Sequence, residues 1–268
     1  MIYLLLTVSI LKALWFQPSV SGDDPIRLKV MSFNIGFGQR GMDAVAQAIK
    51  NEDPDIIGLQ EVDVFWSDRS AFMDQAQFLA DRLNLFLFYA PIYRLENPSE
   101  PGKPRQFGLA MLSKYPIIEA QNHEIARLST QEATPRITQM PGFPGVTVQV
   151  QGRPLRFYNT HLDFRPDPTV RTMQVSQMLA IMGSLEQPTL LMGDLNAGPQ
   201  AHELQPLMQL FLNPTDQKGQ SFATFPDSLP NRQIDFILHT RHLKALRSYV
   251  PITNASDHRP LVTIFELQ

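Results

Sequence analysis

Residues 189–199 read TLLMGDLNAGP, and the rest of the chain is organised around this stretch. An apolar run, residues 190–192, ends at Gly193, and two short polar side chains, Asp194 and Asn196, follow two residues apart. The pattern predicts a buried strand whose end delivers both side chains from one rigid edge into one pocket. A carboxylate beside a neutral amide can orient a water molecule or a metal ion without accumulating charge. Taken alone, the residues are equally typical of a strand followed by a turn, because Gly, Asp and Asn are common turn formers.

The chain is long enough for a real core and lacks cysteine. Its 268 residues favour one large domain or two small ones. Hydrophobic and charged contents of 43% and 18% are ordinary for a globular protein. The formal net charge of −3 argues against a protein that coats nucleic acid, but a nuclease with a local basic groove stays open. The absence of cysteine excludes a cysteine nucleophile, cysteine-ligated zinc and disulfides.

Residues 1–22 are typical of a targeting segment. The apolar run 2–10 precedes Lys12 and the small stretch SVSG at residues 19–22. This order predicts a secretory signal with cleavage near Ser21, and therefore export to the periplasm or out of the cell. An uncleaved membrane anchor is the alternative, although the run is shorter than the ~20 residues of a membrane span. A misplaced start codon is the third interpretation.

From residue 25 onward, strand-like and helix-like segments alternate. Helices are predicted at 43–50 with Asp43 as N-cap, and at 70–83, 168–185 and 200–212. Strands are predicted at 26–34, 55–61, 85–90, 107–113, 117–125, 136–140, 146–151, 155–163, 190–192, 234–239, 243–250 and 261–267. The sequences PGFPG (141–145) and QGRP (151–154) are typical of hairpin turns, and Pro-rich residues 91–106 indicate a rim loop. Helices interleaved with mixed strands favour layers of helix flanking β-sheet.

Polar groups recur at the ends of these apolar strands. Each of them has an ordinary structural explanation when taken alone, such as a bulge, a turn or a hydrogen-bonded core histidine. Their repeated occurrence at strand ends is how an open α/β scaffold assembles a site. The residues are Asn34, Glu61, His161, Asp194, Asn196, Asp235, Asp257 and His258.

The ordered short motifs around these positions carry a family resemblance. They are SFNI (32–35), LQE (59–61), LSKYPI (112–117), NTHLD (159–163), GDLN (193–196), IDFI (234–237) and SDHRP (256–260). The chain resembles the endonuclease/exonuclease/phosphatase superfamily, the fold of DNase I-like nucleases, inositol-polyphosphate phosphatases and sphingomyelinases. The resemblance implies that residues 25–268 form a single catalytic domain. Its fold would be an α/β four-layer α-β-β-α sandwich of two mixed, mostly antiparallel sheets packed face to face.

The resemblance also implies metal-dependent hydrolysis of phosphoester bonds, most simply phosphodiesters. Glu61, Asn34 and Asp257 would hold a Mg²⁺ that polarises the phosphate and stabilises the leaving oxygen. Oxygen ligands of this kind suit a hard cation, and Mn²⁺ would fit the same set.

The remaining roles concern water and phosphate. Asp194 would orient or deprotonate the attacking water, and Asn196 would fix the phosphate. Asp235 would hydrogen-bond His258 and favour its imidazolium form near the phosphoryl oxygens. His161 would donate from the other side.

Two rival functions are weighed against this one. The first is a dinucleotide-binding oxidoreductase, because residues 36–41 spell GFGQRG after a strand, with Glu61 twenty residues beyond the last glycine. An N-cap at Asp43 would put all three glycines in an open loop instead. The second is a catalytically silent binding domain on the same fold. It is disfavoured because none of the expected site residues is missing.

The sequence leaves the substrate open between nucleic acid, a phospholipid head group and a small soluble phosphoester. Rim loops at 91–106 and 213–231 would select among them. Arg136 is a weaker candidate phosphate contact, and a solvated strand start explains it equally well. Nothing in the sequence indicates an obligate protein partner, and a monomer is the expectation.

Overall fold

The computed structural model describes residues 25–217 and 220–268 of the chain. The predicted signal or anchor segment, residues 1–22, lies outside the described residues. Within them, no helix is both long enough and apolar enough to cross a membrane.

The described chain forms two sheets and flanking helices. The helices are α1 (Met42–Glu52), α2 (Gln75–Leu83), α3 (Thr169–Met182) and α4 (Gln205–Leu210). The strands are β1 (Arg27–Asn34), β2 (Ile56–Val64), β3 (Phe86–Leu95), β4 (Arg105–Ser113), β5 (Ile117–Leu128), β6 (Ile137–Val150), β7 (Arg153–His161), β8 (Thr189–Asp194), β9 (Asp235–His239), β10 (Leu243–Tyr249) and β11 (Leu261–Leu267). The six-stranded sheet has the order β10-β11-β1-β2-β4-β3, and the five-stranded sheet has the order β5-β6-β7-β8-β9.

Each sheet contains one parallel pair. β1 pairs in parallel with β2, and β7 pairs in parallel with β8, whereas the other pairings are antiparallel. The crossovers run through α1 and α3. Asn34 pairs with Gln60, which places it beside Glu61, and His161 lies directly opposite Asp194 in the register. The expected end of the second strand at Glu61 was wrong, because β2 continues to Val64.

The hydrophobic residues form three layers of core between the four structural layers. One cluster fills the space between the sheets, with Val30 and Ile56 on one side and Leu190 and Met192 on the other. A second cluster packs α1 and α2 on the six-stranded sheet, and a third packs α3 and α4 on the five-stranded sheet. Because β8 is covered on both faces, all of its residues are buried. The α-β-β-α sandwich expected from the sequence is confirmed.

A buried amide network ties the two sheets together beneath the site. Asn159 accepts a hydrogen bond from Gln60 Nε2 at 2.7 Å and donates to the carbonyls of Leu59 at 2.9 Å and Ala110 at 3.2 Å. Gln60 and Asn159 are fully buried, so these bonds replace the water that the Asn159 amide and the Gln60 NH₂ group lose on folding. The first residue of the NTHLD motif is therefore structural.

Two further expectations for the sheets were wrong. Residues 141–145 form no hairpin, because β6 runs without interruption through them. Pro141 and Pro144 lie where β6 pairs only with β5. Because no strand pairs with the other side of β6 there, the missing N–H of each proline breaks no hydrogen bond. Gly142 (φ 118°) sits at an irregularity in the pairing, and its N–H donates to Asn122 Oδ1 at 2.7 Å.

The second wrong expectation is the rim loop at 91–106. β3 extends to Leu95 and β4 begins at Arg105, so the loop comprises only residues 96–104. Ile92 and Tyr93 are buried, and this burial keeps the chain extended despite the polar residues around them. The QGRP turn does connect β6 to β7, as expected.

Helix starts also differ from the sequence expectation. α1 begins at Met42 after Gly41 (φ 100°) as N-cap, and Asp43 is an exposed residue of the first turn with no capping bond. α2 begins at Gln75, because the Asp74 side chain accepts from the Gln77 N–H and caps it. The helix predicted at residues 200–212 is divided into a 3-10 turn, His202–Leu204, and α4.

Gly193 is the most constrained glycine of the central motif. Its φ is +144°, and a Cβ placed there would lie 2.0 Å from the Thr160 carbonyl oxygen of the neighbouring strand. We expect Gly193→Ala to destabilise the protein by about 3 kcal/mol or more, because backbone strain and a backbone clash add together. Urea unfolding tests this, with Gly198→Ala as the matched control, since a Cβ at Gly198 meets nothing within 4 Å. Equal stability of the two variants would contradict the expectation.

Candidate active site

The predicted polar groups converge at the edge where the central strands of both sheets end. Asn34 Nδ2 lies 3.1 Å from Glu61 Oε1 and 3.1 Å from Asp194 Oδ2, so one amide bridges carboxylates of the two sheets. His161 Nε2 lies 3.5 Å from Asp194 Oδ2 and 3.9 Å from Glu61 Oε1. His258 Nε2 approaches Asp194 Oδ2 from the other side at 3.7 Å. Asp194 is therefore the hub of the cluster.

The orientation of the Asn34 amide follows from its backbone partner. Gly36 N–H donates to Asn34 Oδ1 at 3.0 Å, and a backbone N–H can only donate, so the oxygen points to Gly36. The NH₂ group therefore faces Glu61 and Asp194. In this arrangement Asn34 holds the two carboxylates in place, and ligating an ion through Oδ1 requires rotation of the amide.

Local backbone distortions aim two of the polar side chains. Glu61 has φ 56° and lies at a bulge, where the pairing of β2 with β4 shifts between Leu59 and Val62. Asn196 has φ 51°, and its side chain donates to the Leu162 carbonyl at 3.0 Å. Bulges and left-handed residues cost energy and re-aim side chains at functional edges.

Asp194 is buried and electrostatically crowded. Its Oδ1 accepts from the Asn196 N–H at 2.9 Å. Burial raises the pKa of Asp194, the nearby Asp235 carboxylate raises it further, and the imidazoles of His161 and His258 oppose the shift. A carboxylate with a raised pKa is a stronger proton acceptor, which suits it to take a proton from water.

His258 is held as an imidazolium by carboxylates. Its Nδ1 lies 2.9 Å from Asp235 Oδ2, and this carboxylate also accepts the Thr224 hydroxyl. Burial of the ring lowers its pKa, but Asp235, Asp194 and Asp257 outweigh burial and raise the pKa to about 10. The ring is therefore charged at neutral pH, with Nε2 directed toward Asp194.

Two separate sets of oxygen and nitrogen atoms could hold a metal ion. Ligand atoms of Asp194, Asp235 and His258 lie within 4.8 Å of one another. The set expected from the sequence comprises Asn34, Glu61 and Asp257. The half-buried Asp257 is connected to Asn34 through Ser256, whose hydroxyl lies 3.2 Å from Asp257 Oδ1 and 2.8 Å from the Asn34 carbonyl oxygen.

Arg136 is not brought to this cluster. It is exposed in the segment before β6 and does not line the cleft beside Glu61 and His161. Its predicted contact with phosphate stays a prediction without geometric support.

Sequence reasoning missed Arg127, which supports His161 from behind. The buried Arg127 guanidinium donates to the carbonyls of His161 at 3.2 Å, Pro141 at 3.1 Å and Gly142 at 2.9 Å. Burial lowers its pKa to about 10, so it remains charged at neutral pH. No sequence signal identifies it, because an arginine inside an alternating strand is typical of a solvated face.

Arg40 of the GFGQRG stretch closes the other side of the site. Its Nη1 and Nη2 contact the Asp227 carboxylate at 2.6 and 3.0 Å, and Nη1 donates to the Ser256 carbonyl at 2.7 Å. Asp227 N–H in turn donates to the Asp257 carbonyl at 2.8 Å. The stretch thus forms a loop that fastens the segments around Asp257, and its last glycine, Gly41, lies outside the following helix.

We expect Arg40→Ala to lower the rate of any reaction at this site by about 10- to 100-fold, because small displacements of positioned groups are costly. The free energy of unfolding should fall by only about 1 kcal/mol, since the ion pair is partly exposed. Steady-state kinetics and urea unfolding test both values. Arg82→Ala is the control, because within the described chain Arg82 makes only an exposed 3.8 Å pair with Asp43. An Arg40→Ala protein that reacts at the wild-type rate would refute the positioning role.

Comparison with known proteins adds an independent finding. No curated protein matches the chain significantly by sequence. An endonuclease/exonuclease/phosphatase from Bacteroides vulgatus is similar in structure, with TM-score 0.69 and 18% identity, covering 91% of this chain and 100% of that one. The human Nocturnin catalytic domain with bound sulfate gives TM-score 0.64 and 19% identity, covering 91% and 94%. A mannosyl-6-phosphatase from Bacteroides thetaiotaomicron gives 0.61 and 16%, covering 89% and 99%.

At these identities the structural likeness shows the fold. The family model described as the Endonuclease/Exonuclease/phosphatase family matches residues 31–258. Because this match covers most of the 268 residues, the chain belongs to the Endonuclease/Exonuclease/phosphatase family.

Proposed function

We propose that the protein is a Mg²⁺-dependent hydrolase of phosphodiester bonds, in which water attacks the phosphate directly. The observation that carries this proposal is the convergence at one edge of Glu61, His161 and Asp194 from the two sheets, joined by His258 from the segment before β11. Membership of a family whose structural neighbours include named phosphatases supports the same reaction class.

The donor set fits a hard divalent cation. Glu61 and Asp257 supply carboxylate oxygens that are half-buried and so accessible to an ion, and Asn34 can contribute its amide oxygen after rotation. When bound there, Mg²⁺ supplies Lewis-acid polarisation of the phosphate and charge stabilisation of the leaving oxygen. Mn²⁺ would fit the same ligands.

The side chains of the protein supply the proton transfers and the orientation. Asp194 accepts a proton from the attacking water, favoured by the raised pKa of its buried carboxylate. The charged His258, fixed by Asp235, donates through Nε2 to a phosphoryl oxygen. His161 donates from the opposite side, and Asn196 orients the phosphate.

A chromogenic assay tests the proposal. The purified protein should hydrolyse bis(p-nitrophenyl) phosphate with Mg²⁺ or Mn²⁺ present, and EDTA should abolish the reaction. A panel of plasmid DNA, single-stranded DNA, sphingomyelin and phosphoinositides then identifies the substrate class. If none of these is hydrolysed at any metal concentration but one is bound, the silent binding domain replaces the proposed enzyme.

A further inference from the structure

A cleft opens directly beside the proposed catalytic side chains. Glu61 and His161 line one end of it, and its volume is about 190 Å³. Beyond them the cleft combines flat aromatic rings with guanidinium groups, namely Phe37, Tyr93, Phe107, Phe164, Arg69 and Arg165. A substrate whose phosphate sits at Glu61 and His161 can place its adjoining group here.

One wall presents a guanidinium stacked on aromatic rings. Arg69 forms a two-bond ion pair with Asp63, with Nε–Oδ2 2.9 Å and Nη2–Oδ1 2.7 Å. The same guanidinium lies 4.2 Å from the Phe37 ring centre and 5.4 Å from that of Phe107. The ion pair and the stacking together fix the plane of the guanidinium.

A second arginine of the cleft lining repeats this construction with an exposed ring. Arg165 lies 5.1 Å from the ring centre of Phe164, and its guanidinium is bonded to Asp163 and to the Leu128 carbonyl. Phe164 is 63% exposed, so its ring is available to a ligand at the mouth of the cleft.

The guanidinium groups around the cleft are held in place by hydrogen bonds. Arg69 and Arg165 are each bonded to a carboxylate, whereas the hydrogen bonds of Arg127 in the described chain all go to backbone carbonyls. The carboxylate of Glu61 lines the same cleft, so the shape of the walls, and not their net charge, carries the preference. The flat faces of the phenyl and guanidinium groups favour a flat ring next to the phosphate.

We propose that this cleft binds an aromatic ring carried by the substrate next to the scissile phosphate, and that Phe164 is the residue that selects for it. The inference rests on the proposed phosphodiesterase activity and adds the class of group that the substrate bears. The ring can belong to a nucleobase or to a simple aryl ester, and both stack on phenyl and guanidinium faces in the same way.

The test uses phosphodiesters that share one non-aromatic leaving group, hexafluoroisopropanol, whose release is measured by fluorine NMR. Their second group is thymidine 5′, phenyl, cyclohexyl, methyl or choline. We expect kcat/KM to be highest for the thymidine and phenyl esters. Phe164→Ala should lower these two values by about tenfold or more and leave the cyclohexyl and methyl esters within about twofold. Phe164→Trp should retain the preference.

Phe86→Ala is the matched control, because Phe86 is a half-exposed phenylalanine at the far end of β3 from the site. It should change none of the values. A preference for the choline ester, or an equal loss on all five esters in Phe164→Ala, would overturn the aromatic-ring assignment while leaving the phosphodiesterase intact. Absence of turnover of every ester with metal present would instead remove the proposed function itself. A thymidine preference without a phenyl preference identifies the nucleobase as the source of the ring.

Discussion

Asp194→Asn is expected to lower kcat for bis(p-nitrophenyl) phosphate by about 10²- to 10⁴-fold, the range typical of a lost general base. The amide has nearly the same shape as the carboxylate but cannot accept the proton of the attacking water. Asp194 also lies within 3.7 Å of both His161 and His258, so its charge organises two proton donors. Initial rates at saturating Mg²⁺ measure the effect.

The control for this substitution is Asp43→Asn. Asp43 is an exposed aspartate in the first turn of α1, remote from the cluster, and its replacement should leave kcat unchanged. Circular dichroism and thermal unfolding establish that Asp194→Asn remains folded. A folded Asp194→Asn protein with wild-type kcat would remove Asp194 from the mechanism.

Asp235→Asn is the second substitution with a large expected effect. Asp235 is the strongest of the three carboxylates that raise the pKa of His258 to about 10 against the opposing effect of burial. Without it, burial favours the neutral ring, and the phosphate loses a charged donor. We expect kcat to fall by about 10²-fold or more, and the alkaline limb of its pH profile to move to lower pH.

The Asp235–His258 pair makes the protein less stable as pH rises. A histidine pKa raised from 6.5 to about 10 contributes stability that is full below pH 6.5 and is lost as pH rises through about 10. In metal-free protein at pH 6, Asp235→Asn should therefore be less stable than wild type by about 3–5 kcal/mol. Urea unfolding at pH 6 and pH 10.5 measures the difference, which should narrow at the higher pH. A difference that is constant across this range would show that His258 is not charged through Asp235.

The strand-end pattern of the sequence predicts the assembly of the site because the sheets are built from parallel central pairs. Asn34, His161 and Asp194 each end a strand, as expected, whereas β2 continues past Glu61 to Val64 and presents Glu61 at a bulge. Short apolar runs that stop at a polar residue therefore carry real three-dimensional information. The orientation of the Asn34 amide could not be predicted from the sequence, because it is set by the hydrogen bond from the Gly36 N–H to Asn34 Oδ1.

Other features depend on contacts between distant segments and have no local signature. Arg127 is separated by 34 residues from His161, whose carbonyl it supports, and Arg40 by 187 residues from Asp227. The error at residues 141–145 has the same origin. Two prolines and two glycines are typical of a turn, and only the one-sided pairing of β6 with β5 makes them acceptable in a strand.

The location of a bound Mn²⁺ ion tests the central idea most directly. Crystals of the protein soaked in Mn²⁺ should give an anomalous difference peak next to Glu61, within coordination distance of Asp257 or of a rotated Asn34. The Asp194 carboxylate should stay free to contact the attacking water. A peak held instead between Asp194, Asp235 and His258 would contradict the assignment of these three residues to proton transfer, and the absence of any peak at this edge would contradict the metal-dependent reaction altogether.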